Sequence, residues 1–406
     1  MITTFKTTLA AFAVFFVCCG AVRAEDWAGF RGPGGSSVAK GAKIPTQWKE
    51  DDNVAWKIEL PGTGPASPIV VGNQVVVTCS SGYQQKRLHV LSFDAKSGEK
   101  LWHRQFWATG RTSTHPFSAV AANTPTSDGE RIFAFFSSND LVCLDLKGDL
   151  QWYRGLGLDF PKSGNDVGMS SSPLTVDGTV VVQVEAQGDS FAISLQAEDG
   201  TTLWRRPRDQ RANWASPVAI KRSNGKSLVL LQSPNSGLTA HDPQSGEELW
   251  KYEAVCSGVP SPLVLSDSIL ISSNGLTKLK FTADSNSPEL SWDTAKLRPG
   301  SASPVVYNNN IYTMNTGVLK CGDLASGELK WQIRLEGKYW ATPVIADGKM
   351  YVVNQDGVAK VIQLGDEKGE VIGVSDFGEA VKGSPAVAGN AMFVRTDEHL
   401  WKISGQ

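Results

Sequence analysis

Short apolar runs recur along the chain, each about the length of one β-strand and each bounded by a polar turn. Residues 67–78 (SPIVVGNQVVVT) form a strand, a two-residue turn and a second strand, and PLTVDGTVVVQV and PVIADGKMYVVN repeat the pattern. Asp-Gly between apolar runs is typical of a tight hairpin, because both central positions need positive φ. A third apolar run, such as 87–93, and a fourth that ends in Trp complete each unit. The pattern therefore predicts four-stranded antiparallel sheets.

A Ser-Pro or Thr-Pro pair opens each of these units. The pairs begin at Ser67, Thr124, Ser172, Ser216, Ser261, Ser303, Thr342 and Ser384. Successive pairs lie 39 to 57 residues apart, which is the range of a propeller blade. Proline has no N–H to give to a sheet, so the start of an inner strand suits it. The spacing predicts eight blades.

The two ends of the repeat region complement each other. The eighth unit, from Ser384 to Ile403, supplies three strands, and the missing Trp-bearing strand lies at Asn53–Glu59. Pairing the two would leave no open sheet edge. We therefore predict an all-β fold, an eight-bladed β-propeller of four-stranded antiparallel blades whose ring is closed by Asn53–Glu59. A linear stack of repeats is the alternative, and it would need polar caps.

The turn before each fourth strand carries the most specific motif. Residues 240–250 read A-x-D-x-x-S-G-x-x-x-W, copies begin at Asp94 and Asp323, and the copy at Asp284 has Pro288 in place of Gly. Asp can cap its own turn through a side-chain oxygen, and Gly takes the left-handed position. We expect each motif Trp to pack its ring on the next blade.

These tryptophans are therefore assigned a structural role. The predicted docking residues are Trp56, Trp102, Trp152, Trp204, Trp250, Trp292 and Trp331. The seventh unit departs from the motif, because it has Gly373 where Trp belongs.

The motif resembles the tryptophan-docking repeat of quinoprotein dehydrogenases and of non-catalytic PQQ-like propellers of the BamB type. The similarity covers residues 52–403. WAGFRGP at residues 27–33 is similar to the leader of a family of exported bacterial PQQ-like repeat proteins of unclear function. Such a resemblance implies the fold and says little about activity, since function resides in sites carried by a fold.

The first residues look like an export signal. The apolar run Leu9–Val17 has signal-peptide length, and Ala24 offers a cleavage site. We predict a signal peptide at 1–24, an N-terminal extension at 25–52 and a single propeller domain at 53–406, exported to the periplasm or cell envelope. An uncleaved membrane anchor is the alternative. Cys18 and Cys19 raise the question of a lipoprotein, but bulky residues precede them.

Composition narrows the function further. The net charge is −2, with no basic stripe, which argues against nucleic-acid binding. The five histidines are scattered without metal-ligand spacing. The cysteines of the mature chain, Cys79, Cys143, Cys256 and Cys321, are too widely spaced for a small disulfide framework. We expect them to be buried thiols.

The resemblance to quinoprotein dehydrogenases implies a PQQ cofactor with a calcium ion, a carboxylate base, a Trp platform and often a vicinal disulfide. The adjacent Cys18 and Cys19 lie inside the predicted signal, and no matching motif supplies the carboxylate. We therefore expect no catalytic residue, no metal site and no cofactor, with PQQ and calcium kept as the alternative.

A ligand would sit in the central funnel, at the start of the inner strands. Two positions before each Ser/Thr-Pro pair stand Pro65, Ala122, Ser170, Trp214, Val259, Ser301, Trp340 and Lys382. Trp214, Trp340 and Lys382 are the binding candidates there. The two tryptophans could clamp a peptide or a sugar, or they could simply plug a wide channel.

Two other groups are further candidates. Arg111 and His115, with Asn165 and Asp166, lie in connections longer than the repeat requires, and such loops often carry function. In the third blade, Gln183 and Glu185 share a strand face and Asp189 follows in the next turn. These last three could instead satisfy one another or the neighbouring backbone.

The sequence favours a non-enzymatic, monomeric scaffold propeller of the bacterial cell envelope that binds an envelope protein or an exported peptide. A PQQ-dependent oxidoreductase is the first alternative, and a carbohydrate-binding propeller is the second.

Overall fold

Each predicted unit folds as a four-stranded antiparallel sheet, and eight such sheets follow one another along the chain. The protein, seen here as a computed structural model, is described over residues 26–222, 225–282 and 287–405. The eight-bladed propeller prediction is confirmed. The predicted signal peptide, with Cys18 and Cys19, and the turn residue Asp284 lie outside the described residues.

The strands run from the inner to the outer position in blades one to seven. Their bounds are β3 Ile69–Val71, β4 Gln74–Ser81, β5 Arg87–Asp94 and β6 Lys100–Trp107; β7 Thr126–Ser127, β8 Arg131–Phe135, β9 Asp140–Asp145 and β10 Leu150–Gly155; β11 Leu174–Val176, β12 Thr179–Val184, β13 Phe191–Gln196 and β14 Thr202–Pro207; β15 Val218–Lys221, β16 Ser227–Ser233, β17 Gly237–His241 and β18 Glu248–Tyr252; β19 Leu263–Val264, β20 Ser268–Ile271, β21 Leu276–Lys280 and β22 Glu289–Thr294; β23 Val305–Tyr307, β24 Asn310–Asn315, β25 Val318–Asp323 and β26 Leu329–Arg334; β27 Val344–Ala346, β28 Lys349–Val353, β29 Val358–Leu364 and β30 Gly369–Asp376.

The eighth blade combines both ends of the chain. It contains β31 Ala386–Ala388, β32 Ala391–Arg395, β33 His399–Ser404 and, as its outer strand, β2 Val54–Glu59. β2 pairs antiparallel with β33, with Trp56 opposite Lys402 and Glu59 opposite His399. The predicted closing strand is therefore in place.

Few other elements are present in the described residues. β1 Val38–Ala39 adds to the inner strand of blade seven in parallel. Short 3₁₀ turns lie at Pro33–Gly35 and Tyr83–Gln85, and one helical turn, α1, lies at Leu156–Asp159. Within this part of the chain, no helix has the length and apolar content needed to cross a bilayer.

The motif tryptophans link neighbouring blades. Five of them donate an Nε1–H···O bond of 2.9–3.2 Å to the turn of the next blade: Trp102 to Leu146, Trp152 to Ala197, Trp204 to Pro243, Trp292 to Leu324 and Trp331 to Gly365. The ring of Trp56 lies over Gly98 of the first blade and so continues the circle across the chain ends. Trp250 contacts Phe281 at 6.0 Å between ring centroids.

In blade one, the motif Asp holds the turn that the Trp56 ring covers. One carboxylate oxygen of Asp94 accepts hydrogen bonds from the N–H groups of Ser97 and Lys96 at 2.7 and 2.9 Å and from the Ser97 hydroxyl. The Ser97 backbone is the largest cause of the lowered pKa of Asp94. Gly98, at φ 78°, follows in the left-handed region, and its lack of a side chain leaves room for the indole ring.

Replacing a docking glycine should destabilise the protein through this contact. Gly148 has φ +82°, and a Cβ there would lie 2.6 Å from the Trp102 ring, whereas Gly129 has φ +93° and nothing within 4 Å. Both substitutions strain a left-handed backbone, but only Gly148→Ala also forces a methyl group against the Trp102 ring. Gly148→Ala should therefore lower the free energy of unfolding by about 1–3 kcal/mol more than Gly129→Ala. Urea unfolding of both variants measures the difference, and equal losses would contradict the docking role.

The seventh blade lacks its tryptophan because the N-terminal extension occupies that space. A Cβ on Gly373 would lie 1.9 Å from the backbone oxygen of Thr46. Nearby, Trp48 is buried, its backbone N–H donates to the Ser375 hydroxyl oxygen at 2.9 Å, and its ring centroid lies 5.7 Å from that of Phe377. A tryptophan from the extension thus covers this blade.

The four described cysteines, Cys79, Cys143, Cys256 and Cys321, are buried and unpaired. Burial raises the pKa of Cys143 and of Cys256 to about 12. Their thiols therefore stay protonated at neutral pH and serve as core side chains.

Candidate functional site: the central funnel

The inner ends of the blades are joined by a closed circle of hydrogen bonds. The backbone N–H of each Ser/Thr-Pro hydroxyl residue donates to the side-chain oxygen of its counterpart in the next blade, at 2.9–3.1 Å. The sequence of donors and acceptors is Ser67, Thr124, Ser172, Ser216, Ser261, Ser303, Thr342, Ser384 and again Ser67. We call these eight residues the hydroxyl ring.

The hydroxyl ring explains why Ser or Thr precedes every Pro. Each position needs a side-chain acceptor one bond from Cβ, and only Ser and Thr offer a hydroxyl there. A Ser or Thr stands before Pro in all eight repeats. The sequence pattern alone predicts only a strand start there and does not reveal the hydrogen-bond role of the hydroxyl. All eight residues line the funnel.

The N-terminal segment 26–39, which we call the strap, crosses the channel. Trp27 exchanges backbone hydrogen bonds with Val70 of blade one. Arg31 then donates from Nη2 to the backbone oxygen of Pro262 in blade five at 2.6 Å. Val38 pairs with Ile345 in blade seven. The strap therefore spans blades on different sides of the ring.

Local chemistry fixes the position of the strap. Gly32 lies against the buried Trp27 ring, where a Cβ would come within 2.3 Å of the indole. Arg31 and Gly32 both have left-handed backbone conformations, at φ 64° and 62°. This tight reversal holds Phe30 in the channel, where it lines the funnel. The leader motif WAGFRGP thus places the Phe30 ring in the channel.

The funnel is a cavity of about 420 Å³ at the start of the inner strands. All eight residues that stand two positions before the Ser/Thr-Pro pairs line it: Pro65, Ala122, Ser170, Trp214, Val259, Ser301, Trp340 and Lys382. Because the repeat places equivalent residues at equivalent heights, the spacing alone located this wall.

Aromatic side chains dominate one part of the wall. The side chain of Trp340 is 39% exposed and lies edge-on to Phe117, with 6.5 Å between ring centroids. Trp214 is half-buried and donates from Nε1 to the Gly168 backbone oxygen at 2.9 Å. Both indoles therefore present an apolar face while their positions are fixed by neighbouring groups.

The long connections contribute unequally to the site. His115 lines the funnel and accepts the backbone N–H of Phe117 at Nδ1. Arg111 and Asp166 form an exposed ion pair of 2.6 Å and do not line it. Asn165 is buried and caps its own turn by accepting the Val167 N–H at 3.1 Å. Only His115 of these four candidates reaches the funnel wall.

The third-blade candidates form a buried network away from the funnel wall. Glu185 is fully buried and accepts hydrogen bonds from Gln183 Nε2 at 2.7 Å and from Arg208 Nε at 2.8 Å. Asn213 donates to its second oxygen at 3.0 Å. These side chains satisfy one another between blades three and four, which is the alternative that the sequence left open.

The remaining charged candidates are also paired. Asp189 forms an ion pair with Arg205, with N···O distances of 2.7 and 2.8 Å. The Arg205 guanidinium in turn lies over the rings of Phe160 and Phe191, at 4.4 and 4.6 Å. Lys382 lines the funnel, but both oxygens of Asp397 lie 2.9 Å from its Nζ.

The donor set of the funnel does not fit a calcium-bound quinone. Among the described residues that line it, no Asp or Glu is present, and its charged side chain is the cation Lys382. Calcium requires several oxygen ligands, usually including carboxylates. We therefore derive no chemical step through such a cofactor.

A closed eight-bladed ring with docking tryptophans, and a funnel crossed by an N-terminal strap, define a PQQ-like repeat propeller. The chain belongs to the family described as outer membrane protein assembly factor BamB, which matches residues 37–188, 163–315, 280–372 and 317–406.

Individual relatives agree with this assignment. BamB of Burkholderia pseudomallei is 22% identical over 392 residues, covering 89% of this chain and 92% of that protein. The crystal structure of BamB from Moraxella catarrhalis superposes with a TM-score of 0.66 at 15% identity, over 87% of this chain and 97% of that one. A europium-containing methanol dehydrogenase superposes with a TM-score of 0.68 at 14% identity, over 91% and 89%. These two structures show the shared fold alone.

Proposed function

We propose that this protein is an exported scaffold propeller of the bacterial cell envelope that holds an extended segment of another polypeptide in its funnel. The observation that carries the proposal is the pair of tryptophans, Trp214 and Trp340, that lines the funnel together with the hydroxyl ring. Membership in a family described as an outer membrane protein assembly factor supports the envelope setting.

The funnel suits an extended polypeptide for two reasons. Indole faces provide large apolar contact area at low conformational cost, which favours aromatic and aliphatic side chains of a partner. The hydroxyl ring adds groups that can hydrogen-bond to main-chain carbonyls without selecting a sequence. Together these features support recognition of an unfolded apolar segment rather than of one defined surface.

Trp340→Ala should weaken binding of a fluorescently labelled, unfolded outer-membrane β-barrel polypeptide by about thirtyfold, the effect of losing one aromatic anchor. The matched control is Trp107→Ala, because Trp107 is 61% exposed but does not line the funnel. Fluorescence anisotropy measures the affinity, and thermal unfolding checks that both variants stay folded. Equal affinities for the two variants would contradict the proposal.

A quinone-dependent oxidoreductase is the second candidate, because the methanol dehydrogenase shares the fold. Titrating the protein with PQQ and calcium distinguishes the two. We expect no quenching of tryptophan fluorescence that depends on Trp214 or Trp340, and no dye-linked alcohol oxidation. Calcium-dependent quenching with turnover would instead support the enzyme.

A further inference from the structure

Arg31 carries a buried positive charge for which the described residues supply no counter-ion. Its residue exposure is 2%, and none of the ion pairs found among the described residues includes it. Its Nη2 donates to the Pro262 backbone oxygen, while Nε and Nη1 have no hydrogen-bond partner. Burial lowers the pKa of Arg31 to about 10, so the group stays charged at neutral pH. An unpaired buried charge is unfavourable unless something neutralises it.

A second cavity is lined in part by Arg31. It has a volume of about 310 Å³, lies between the strap and the inner strands of blades two to five, and is lined by Arg31 together with Ser172 and Ser216 of the hydroxyl ring. Phe30 lines both this cavity and the funnel, so it marks their boundary. We call the second cavity the lower chamber.

The two serines offer donors to this chamber. Each Oγ accepts a backbone N–H from the preceding blade, at 2.9–3.0 Å, and neither hydroxyl proton has an acceptor among the described side chains and backbone. Asp26 also lines the chamber, but its Oδ1 accepts the Gly72 N–H at 2.9 Å, and it forms no ion pair with Arg31. The chamber therefore combines an unpaired guanidinium with unused hydroxyl donors.

The backbone holds Arg31 in this place. Its φ of 64° is left-handed, a strained conformation for a residue other than glycine. Gly35 passes close to the guanidinium, since a Cβ there would lie 3.4 Å from Nη2.

We propose that the lower chamber binds a small oxyanion, of the carboxylate or phosphate class, between the Arg31 guanidinium and the hydroxyls of Ser172 and Ser216. Charge-assisted hydrogen bonds from arginine to such groups are the strongest that a neutral-pH site can offer. The bound anion would neutralise the charge of Arg31 at the point where the strap crosses the channel. The proposal uses two of the eight hydroxyls of the ring and leaves the other six to a ligand in the funnel.

Anion binding should appear as ligand-dependent stabilisation of the full-length protein. We expect formate and phosphate, titrated separately at constant ionic strength and pH 7.5, to raise the thermal midpoint of the wild type in a saturable way. Arg31→Gln should weaken the apparent affinity at least about tenfold, while Arg31→Lys should retain part of it. A larger response to formate than to phosphate, or the reverse, identifies which oxyanion the chamber prefers.

Arg395 provides the matched control. It is equally buried, donates to one backbone oxygen, that of Gly62, and also has unpartnered Nε and Nη1 atoms, but it does not line the lower chamber. Arg395→Gln should lower the midpoint without changing the anion response. An unchanged response in Arg31→Gln, or an equal loss in Arg395→Gln, would overturn the proposal.

A direct measurement keeps the test valid if Arg31→Gln does not fold. Crystals of the wild type and of Ser216→Ala grown with selenate should show an anomalous peak beside Arg31, weaker in the variant. Absence of a peak in the wild type at saturating selenate would also reject the site.

Discussion

A chain that begins at Leu60 should not fold into a stable monomer. It would lack β2, the outer strand of blade eight, and with it the Trp56 ring that lies over Gly98 of blade one. It would also lose Trp27 and Trp48, which are 1% and 3% exposed. Removing a buried tryptophan side chain typically costs about 3–5 kcal/mol, so these losses together approach the whole stability of an ordinary domain, about 5–15 kcal/mol.

The exposed edge of β33 should make the shortened protein associate. Size-exclusion chromatography and circular dichroism during heating test this result. A synthetic peptide of residues 50–60 serves as the rescue control, because strand addition can restore a missing edge. A second shortened chain begins at Lys49, so it lacks the strap but keeps β2. Comparing its stability with that of the chain from Leu60 separates the effect of ring closure from the effect of the strap. A monomeric 60–406 chain that melts as cooperatively as the wild type would refute the closure.

Glu185→Ala should lower the free energy of unfolding by about 3–5 kcal/mol, because it leaves Arg208 buried without its partner. The two side chains are 0% and 5% exposed, and Arg208 additionally donates to the hydroxyls of Thr239 and Ser233 at 2.9 and 2.6 Å. The network thus ties blade three to blade four. Guanidinium chloride unfolding, with the slope compared between variants, measures the loss.

Asp189→Ala supplies the nearby comparison. Its ion pair with Arg205 is substantially exposed, so its removal should cost no more than about 1 kcal/mol. The double variant Glu185→Leu with Arg208→Met should recover most of the stability lost by Glu185→Ala, since apolar groups of similar size can replace a buried pair. Similar losses in Glu185→Ala and Asp189→Ala would show that the buried pair contributes little.

Features that repeat were predictable from the sequence. Eight equivalent positions reveal themselves by spacing, so the blade number, the closing strand with Trp56 and the funnel-wall residues Trp214 and Trp340 all followed from the period. The same period contained the hydroxyl ring. It was missed because a Ser or Thr before Pro also suits a strand start, and spacing alone does not distinguish a hydrogen-bond acceptor from a small residue.

Features that occur once were not predictable in this way. Arg31 meets Pro262 across 231 residues, and no periodic signal connects the two. Trp48 compensates for Gly373 from a segment outside the repeat. Period-two alternation correctly placed Gln183 and Glu185 side by side, but it could not name Arg208 as their partner. Asn165 lies in a long connection, yet its side chain serves its own turn.

The pairing of β2 with β33 has a consequence for biogenesis. β2 precedes blade one and its partner β33 follows blade seven, so β2 stays without its neighbour while seven blades are made. Those blades can form as individual sheets before the circle is complete. A product that stops before β33 therefore retains an unpaired strand, and unpaired strand edges make incomplete chains prone to aggregate.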